Sequence, residues 1–321
     1  MTGTATILRG DARQLPFADD TFDLAVTSPP YWQLRRYAGD DGAGIGSEPD
    51  PGAYITNLVA ATAELARVVK PSGSLFVNLA DRYANTHDAD VAGVPYKSRL
   101  GLPWRYAFAV MDQLGLTLRA DIVWAKVNPI PSSVPDRVRC DHEYLFHFTM
   151  SSDYYADLDP LREPHRMRPQ RRPFGRRTDD TPRPGQPRQS WSTSVRTEPG
   201  VDGHPLGRAP GSVWTLVSEP LLPPASVTVK HPAVFPVEIP RRAIQGWCPP
   251  DGRVVDPFGG SGTTALAAKV LGRHGVSVDW SEDYSQFAAW RVNDPRELAK
   301  AARVPVPPAV PQVTDGQQQL F

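Results

Sequence analysis

A strand that runs into two prolines narrows the possible folds of this chain more than any other stretch. Leu24-Ala25-Val26 is an apolar run that reads as a short buried strand, and Thr27-Ser28-Pro29-Pro30-Tyr31-Trp32 follows it directly. Neither proline can donate to a sheet ladder, so the strand must stop in a rigid turn. That turn gathers a small hydroxyl acceptor, backbone carbonyls with no competing N–H, and an aromatic face. Such a set suits a planar substrate that carries an exocyclic amine.

A second strand-and-bend unit lies far downstream. Arg253-Val254-Val255 reads as its strand, Asp256-Pro257-Phe258-Gly259-Gly260-Ser261-Gly262-Thr263-Thr264 as the bend, and residues 264–271 as a following helix. Glycines between strand and helix let a ligand approach the backbone closely. No Gly-Lys-Ser/Thr follows, so this is not a Walker loop, and the spacing is not that of a dinucleotide site. Gly275-Val276-Ser277-Val278-Asp279 reads as the next strand. An acid roughly 20 residues beyond such a loop takes ribose hydroxyls, and Asp279 fits by position.

Between these units strand and helix patterns alternate. Gly10-Asp11 closes an early strand, and residues 54–70 carry apolar side chains at helical spacing until Pro71-Ser72-Gly73. Strands are predicted at 75–79, 120–126 and 141–149, with a helix at 104–114 before Gly115. The alternation predicts a doubly wound, mostly parallel α/β sheet with helices on both faces.

Composition sets outer bounds. Thirty-five basic and 35 acidic residues leave a formal net charge of zero over 321 residues, so any charged partner must be met by a local patch. The two cysteines, Cys140 and Cys248, form no Cys-x-x-Cys pair, which predicts neither a zinc site nor a disulfide framework. No apolar run of about 18 residues predicts a membrane span, and no signal peptide is legible, so the expected location is cytoplasmic.

The two motifs together resemble those of amino-directed DNA methyltransferases. Val26-Thr27-Ser28-Pro29-Pro30-Tyr31 resembles the catalytic motif in its cytosine-N4 form, and Asp256 to Thr263 resembles the loop that binds S-adenosylmethionine (SAM). The catalytic motif precedes the SAM loop, as in the permuted β group of that family. The resemblance implies a SAM-dependent methyltransferase fold (Rossmann-like), DNA as partner and no metal, and leaves open either a cognate restriction nuclease as partner or a solitary enzyme. It assigns catalysis to Ser28, Pro29, Pro30 and Tyr31. It assigns cofactor contacts to Asp256, Phe258, Gly259, Gly260, Ser261, Gly262, Thr263, Asp279 and Asp11, with His231 and Pro232 closing the methionine end. In this reading Ser28 Oγ and the Pro29 carbonyl accept the two amine hydrogens, pulling nitrogen toward tetrahedral geometry, while Tyr31 stacks on an extruded base. Alternatives are adenine N6 as target, an RNA substrate, or a regulator that binds SAM and DNA without catalysis.

Residues 161–211 break the pattern. Eleven arginines stand against five acids, prolines and glycines are dense, and apolar residues are sparse. The segment is expected to be mobile when free and to order on DNA, with Arg171, Arg172, Arg176 and Arg177 meeting phosphates and guanine edges. The expected organisation is a catalytic part at 1–158, a target-recognition insert at 159–224, a SAM-binding part at 225–298, and a disordered tail at 299–321. The terminal Gln317-Gln318-Gln319-Leu320-Phe321 resembles the peptide by which bacterial DNA enzymes dock on the replication sliding clamp.

Overall fold

The computed structural model describes residues 3–34, 44–165, 204–219, 221 and 234–307. In chain order these form β1 (Thr4–Arg9), β2 (Phe22–Thr27), α1 (Pro51–Val68), β3 (Val69–Leu79), α2 (Thr86–Ala92), α3 (Leu102–Leu114), β4 (Thr117–Lys126) and β5 (His142–Thr149). They continue with β6 (Val213–Leu216), α4 (Glu238–Trp247), β7 (Arg253–Asp256), α5 (Thr263–Val270), β8 (His274–Asp279), α6 (Glu282–Arg291) and α7 (Pro295–Ala302). The eight strands make one sheet in the order β1-β8-β7-β2-β3-β5-β4-β6. β5 runs antiparallel to β3 and β4, and every other pair is parallel.

Local sequence explains where elements start and stop. Asp50 opens α1 by accepting the Ala53 N–H, and Pro51 follows at a position that needs no donor. Gly115, at φ +66°, ends α3 in the left-handed conformation that a Cβ would strain. The Pro71-Ser72-Gly73 stop is not a break between elements. β3 begins at Val69 and runs through it, while the pairing with β2 jumps from Phe22↔Val69 to Leu24↔Ser74. The irregularity absorbs a proline that has no N–H for the ladder.

Strand alternation distributes side chains to two layers. Leu75, Val77, Phe146 and Phe148 join Leu58 and Leu65 of α1 and Tyr106 and Val110 of α3 in one apolar core. Phe76 and its cross-strand partner His147 point the other way and stack at 4.3 Å, with Trp247 of α4 packed on both. Burial there pushes the His147 imidazole down to about 3, so it is a neutral core group, bonded through Nε2 to Ser74 Oγ. Among the described residues no helix is long and apolar enough to cross a membrane.

The chain divides into two compact units, residues 1–157 with 211–321, and residues 158–210. In the smaller unit Glu163 bridges Arg208 through backbone and side chain, and Arg162 pairs with Asp159 at 2.7 Å. Two expected boundaries shift. Residues 213–216, placed in the insert by the sequence reading, form β6 and extend the main sheet beside β4. Residues 299–302, expected in a disordered tail, belong to α7, which continues to Ala302. The arginine cluster at 171, 172, 176 and 177, His231, Pro232 and residues 317–321 lie outside the described residues.

Candidate active site

Topology brings the two motifs to one rim. β2 and β7 are parallel neighbours, with Ala25 opposite Val255, so the turn after β2 and the loop after β7 leave the sheet side by side. β1 and β8 are also parallel, and Arg9↔Asp279 places Gly10-Asp11 beside the end of β8. Ligands bind at this carboxyl edge in open α/β sheets. β5 runs the other way, so its first residues reach the same edge as the last residues of β3 and β4.

A cleft of about 960 Å³ follows the edge. It is lined by Ser28, Pro29, Pro30 and Tyr31, by Phe258, Gly259, Gly260, Ser261 and Thr263, and by Asp11 and Asp279. Ser28 and Gly260, 232 positions apart in sequence by subtraction, thus share one cavity.

At one end the Ser-Pro-Pro-Tyr turn rests on a polar network that the sequence reading did not assign. Tyr31 donates its hydroxyl to Glu143 Oε2 at 2.6 Å. Asn78 Nδ2 donates to Tyr31 Oη and to Glu143 Oε2, both at 2.7 Å, and reaches Ser28 Oγ at 3.4 Å. Lys126 Nζ lies 2.5 Å from Glu143 Oε1. Asn78 and Glu143 are both buried, so the ammonium compensates a carboxylate that burial alone would penalise. Among the described residues Asn78 Oδ1 has no partner, at a cost of about 1–3 kcal/mol. Rotating the amide would turn that oxygen onto the Glu143 carboxylate, so the carboxylate fixes its orientation. The Pro30 carbonyl is already taken by the Tyr54 hydroxyl at 2.9 Å, so Pro30 anchors the turn to α1. Ser28 Oγ, whose hydrogen-bonding neighbours among the described residues stand at 3.4 Å, keeps capacity for an incoming donor.

The glycine loop is braced from below and from behind. Asp256 does not line the cleft, and neither does Gly262. Asp256 is buried and accepts from Thr27 Oγ1 at 2.6 Å, Thr264 Oγ1 at 2.9 Å and the Phe258 N–H at 3.1 Å. Its carboxyl ties the residue before Ser28 to the start of the SAM-like loop. Burial pushes it up to about 6 against those hydrogen bonds. Gly262, at φ +73°, turns the chain into α5. Gly259 packs on Ser277 so tightly that a Cβ would lie 1.8 Å from its Oγ. Behind the loop, buried Arg291 of α6 donates to Ser261 Oγ at 3.0 Å and Thr263 Oγ1 at 2.7 Å and pairs with Glu297 of α7 at 3.2 Å.

Two carboxylates face the cleft at its other end. Asp279 accepts the Gly260 N–H at 2.7 Å and the Ser281 N–H at 2.8 Å, and burial raises its carboxyl above the usual range despite them. Each oxygen retains a lone pair for a hydroxyl. Asp11 is held below the usual range by the Arg13 guanidinium, 2.7 Å away. A pair of acceptors, a close-approach glycine bend and the ring of Phe258 fit a nucleoside joined to a polar chain, which is the chemistry of SAM.

The Asn78, Glu143 and Lys126 network had a weak sequence signal. Each sits in a segment read as a strand, and polar residues at the ends of apolar strands mark a lined edge. Which of them meet depends on β5 being antiparallel, and periodicity does not encode strand direction.

Comparison with known proteins agrees with this geometry. A family model described as DNA methylase (N6/N4) matches residues 22–289. Type II methyltransferase M.SmaI of Serratia marcescens is 33% identical over 306 residues, covering 89% of this chain and 90% of that protein. Type II methyltransferase M.XycI of Xanthomonas campestris pv. cyanopsidis is 32% identical, covering 90% and 87%. Among solved structures, the PvuII DNA methyltransferase (cytosine-N4-specific) aligns over 94% of this chain and 93% of its own, with a TM-score of 0.65 at 19% identity. A putative DNA modification methylase of Thermus thermophilus, solved with S-adenosyl-L-methionine, aligns over 94% of each chain, with a TM-score of 0.55 at 21% identity. With the family model spanning most of the sequence and relatives matched nearly end to end, the chain belongs to the N6/N4 family of DNA methyltransferases, whose methyl donor is S-adenosylmethionine.

Proposed function

We propose that this protein methylates the exocyclic N4 of cytosine at a specific DNA site, as the modification enzyme of a Type II restriction–modification system. The observation that carries the choice of base is Ser28. A neutral hydroxyl heads the motif, in the form associated with cytosine-N4 enzymes, where many adenine-N6 enzymes have aspartate. The Type II assignment rests on the relatives, named as Type II methyltransferases.

The amine of cytosine is a poor nucleophile because its lone pair is delocalised into the ring. Direct displacement therefore needs positioning and electrostatics rather than a covalent intermediate. Ser28 Oγ and the Pro29 carbonyl accept hydrogen bonds from the two amine hydrogens and localise that lone pair. As the N–C bond forms the S–C bond breaks to leave S-adenosylhomocysteine, and the methylated nitrogen gives up one proton to water. Tyr31 flanks the base, with its hydroxyl fixed by Glu143 and Asn78. Asp279 takes the ribose hydroxyls of the cofactor, Asp11 its adenine amine, and the loop from Phe258 to Thr263 its methionine portion. Bound SAM supplies an electrophilic methyl on a sulfonium. His231, Pro232 and the arginine-rich segment keep the roles that the family resemblance gives them.

Mass spectrometry of nucleosides from DNA methylated by the purified protein should show N4-methylcytosine. In the same assay Ser28→Ala should lower the rate by about a hundredfold with the fold retained. N6-methyladenine in place of N4-methylcytosine would overturn the choice of base.

A further inference from the structure

The loop between β4 and β5 carries an apolar tip at the mouth of the cleft. Ile130 is 81% exposed and lines the same cavity as Ser28. Single exposed apolar residues are ordinary on a protein surface. This loop is not ordinary, since Val127, Ile130, Val134 and Val138 are four of the fifteen exposed large hydrophobic residues among those described.

The loop is also stiff and anchored. Pro129 and Pro131 flank Ile130 and fix their own φ angles, so presenting the side chain costs little further ordering. Asn128 clamps the base of the loop to the chain after β6: its Nδ2 donates to the Ser218 carbonyl at 3.1 Å, and its Oδ1 accepts the Ser218 N–H at 2.7 Å. On the return limb the Arg137 guanidinium stacks on Tyr83 at 3.7 Å, and Lys97 pairs with Asp136 at 2.5 Å. Arg137 and Arg139 lie on the return limb of the same loop. An exposed apolar tip between two prolines, on a loop that also carries arginines and lines the cleft holding Ser28, has the chemistry of a wedge that enters a base stack.

We infer that Ile130 is a wedge that inserts into duplex DNA and holds open the gap left by the extruded target base. The inference rests on the methyl-transfer reading above, because the target amine reaches Ser28 only if the base leaves the helix. A wedge matters most where a pair must be broken, and little where the target has no partner to leave.

The test uses the full chain and two duplexes carrying the site located by methylation mapping. One is fully paired, and the other has an abasic position opposite the target base. Ile130→Gly should lower the methylation rate roughly tenfold or more on the paired duplex and stay within about twofold of the unaltered protein on the abasic one. Ile130→Leu should retain the rate on both. Equal loss on the two duplexes, or no loss on either, would overturn the wedge alone. No methyl transfer by the unaltered protein on either duplex would overturn the methyl-transfer reading and the wedge with it.

Discussion

Asp256 illustrates how one residue can look like a ligand contact and be a lock. Its sequence context resembles a cofactor-loop acid, yet its oxygens are turned inward to Thr27, Thr264 and the Phe258 N–H. Burial raises its pKa to about 6, whereas in the unfolded chain it titrates as an ordinary carboxyl. Between those values the native state binds more protons than the unfolded one, so this group lowers stability as pH rises from about 4 to 6. Asp256→Asn keeps an acceptor and removes the titration. The stability difference between Asp256→Asn and the unaltered protein should therefore move in favour of the variant by up to roughly 3 kcal/mol across that window. Denaturant unfolding at a series of pH values reads the slope directly, and a flat difference would show that Asp256 stays charged in the fold.

Among the elements, the two C-terminal helices hold the loop in place. Neither α6 nor α7 is predicted from the sequence pattern. Both helices are short and rich in charge, α6 has no clear apolar face, and the most useful residue is a buried arginine whose sequence neighbourhood reads as exposed. Arg291 links α6 to both loop hydroxyls and, through Glu297, to α7. Arg291→Lys keeps the charge and loses the planar guanidinium that holds Glu297 through Nε while Nη1 reaches Ser261 and Thr263. Calorimetry should show SAM binding weakened about tenfold, while the rate at saturating SAM stays within about twofold. An unchanged affinity would mean that the loop holds its shape without the brace. Of the helices that were legible, α1 and α3 each bury one apolar face between clear start and stop residues, and α5 follows directly on the glycine bend and is buried along most of its length.

Taken as a molecule, the chain carries zero net charge, so DNA must be met by an uneven distribution. The arginine-rich stretch, which lies between the two motifs in sequence, is where that imbalance is found. Replacing Arg171, Arg172, Arg176 and Arg177 with alanine should weaken DNA binding at every sequence tested. The slope of log affinity against log salt should become shallower by up to about 3 to 4. Affinity and slope measured by fluorescence anisotropy across a salt series check this, and no change in either would remove the segment from the interface.

Residue order alone dictates the strand that must stop at Pro29 and Pro30, the glycine bend after β7, the alternation that builds a doubly wound sheet, and the family. Those are local facts, written in backbone chemistry and short-range periodicity. It took the folded chain to make β2 and β7 neighbours, to turn Asp256 inward, and to converge Asn78, Lys126 and Glu143 beneath Tyr31. Strand order and direction follow from packing among residues distant in the chain, and a one-dimensional pattern of polarity carries neither.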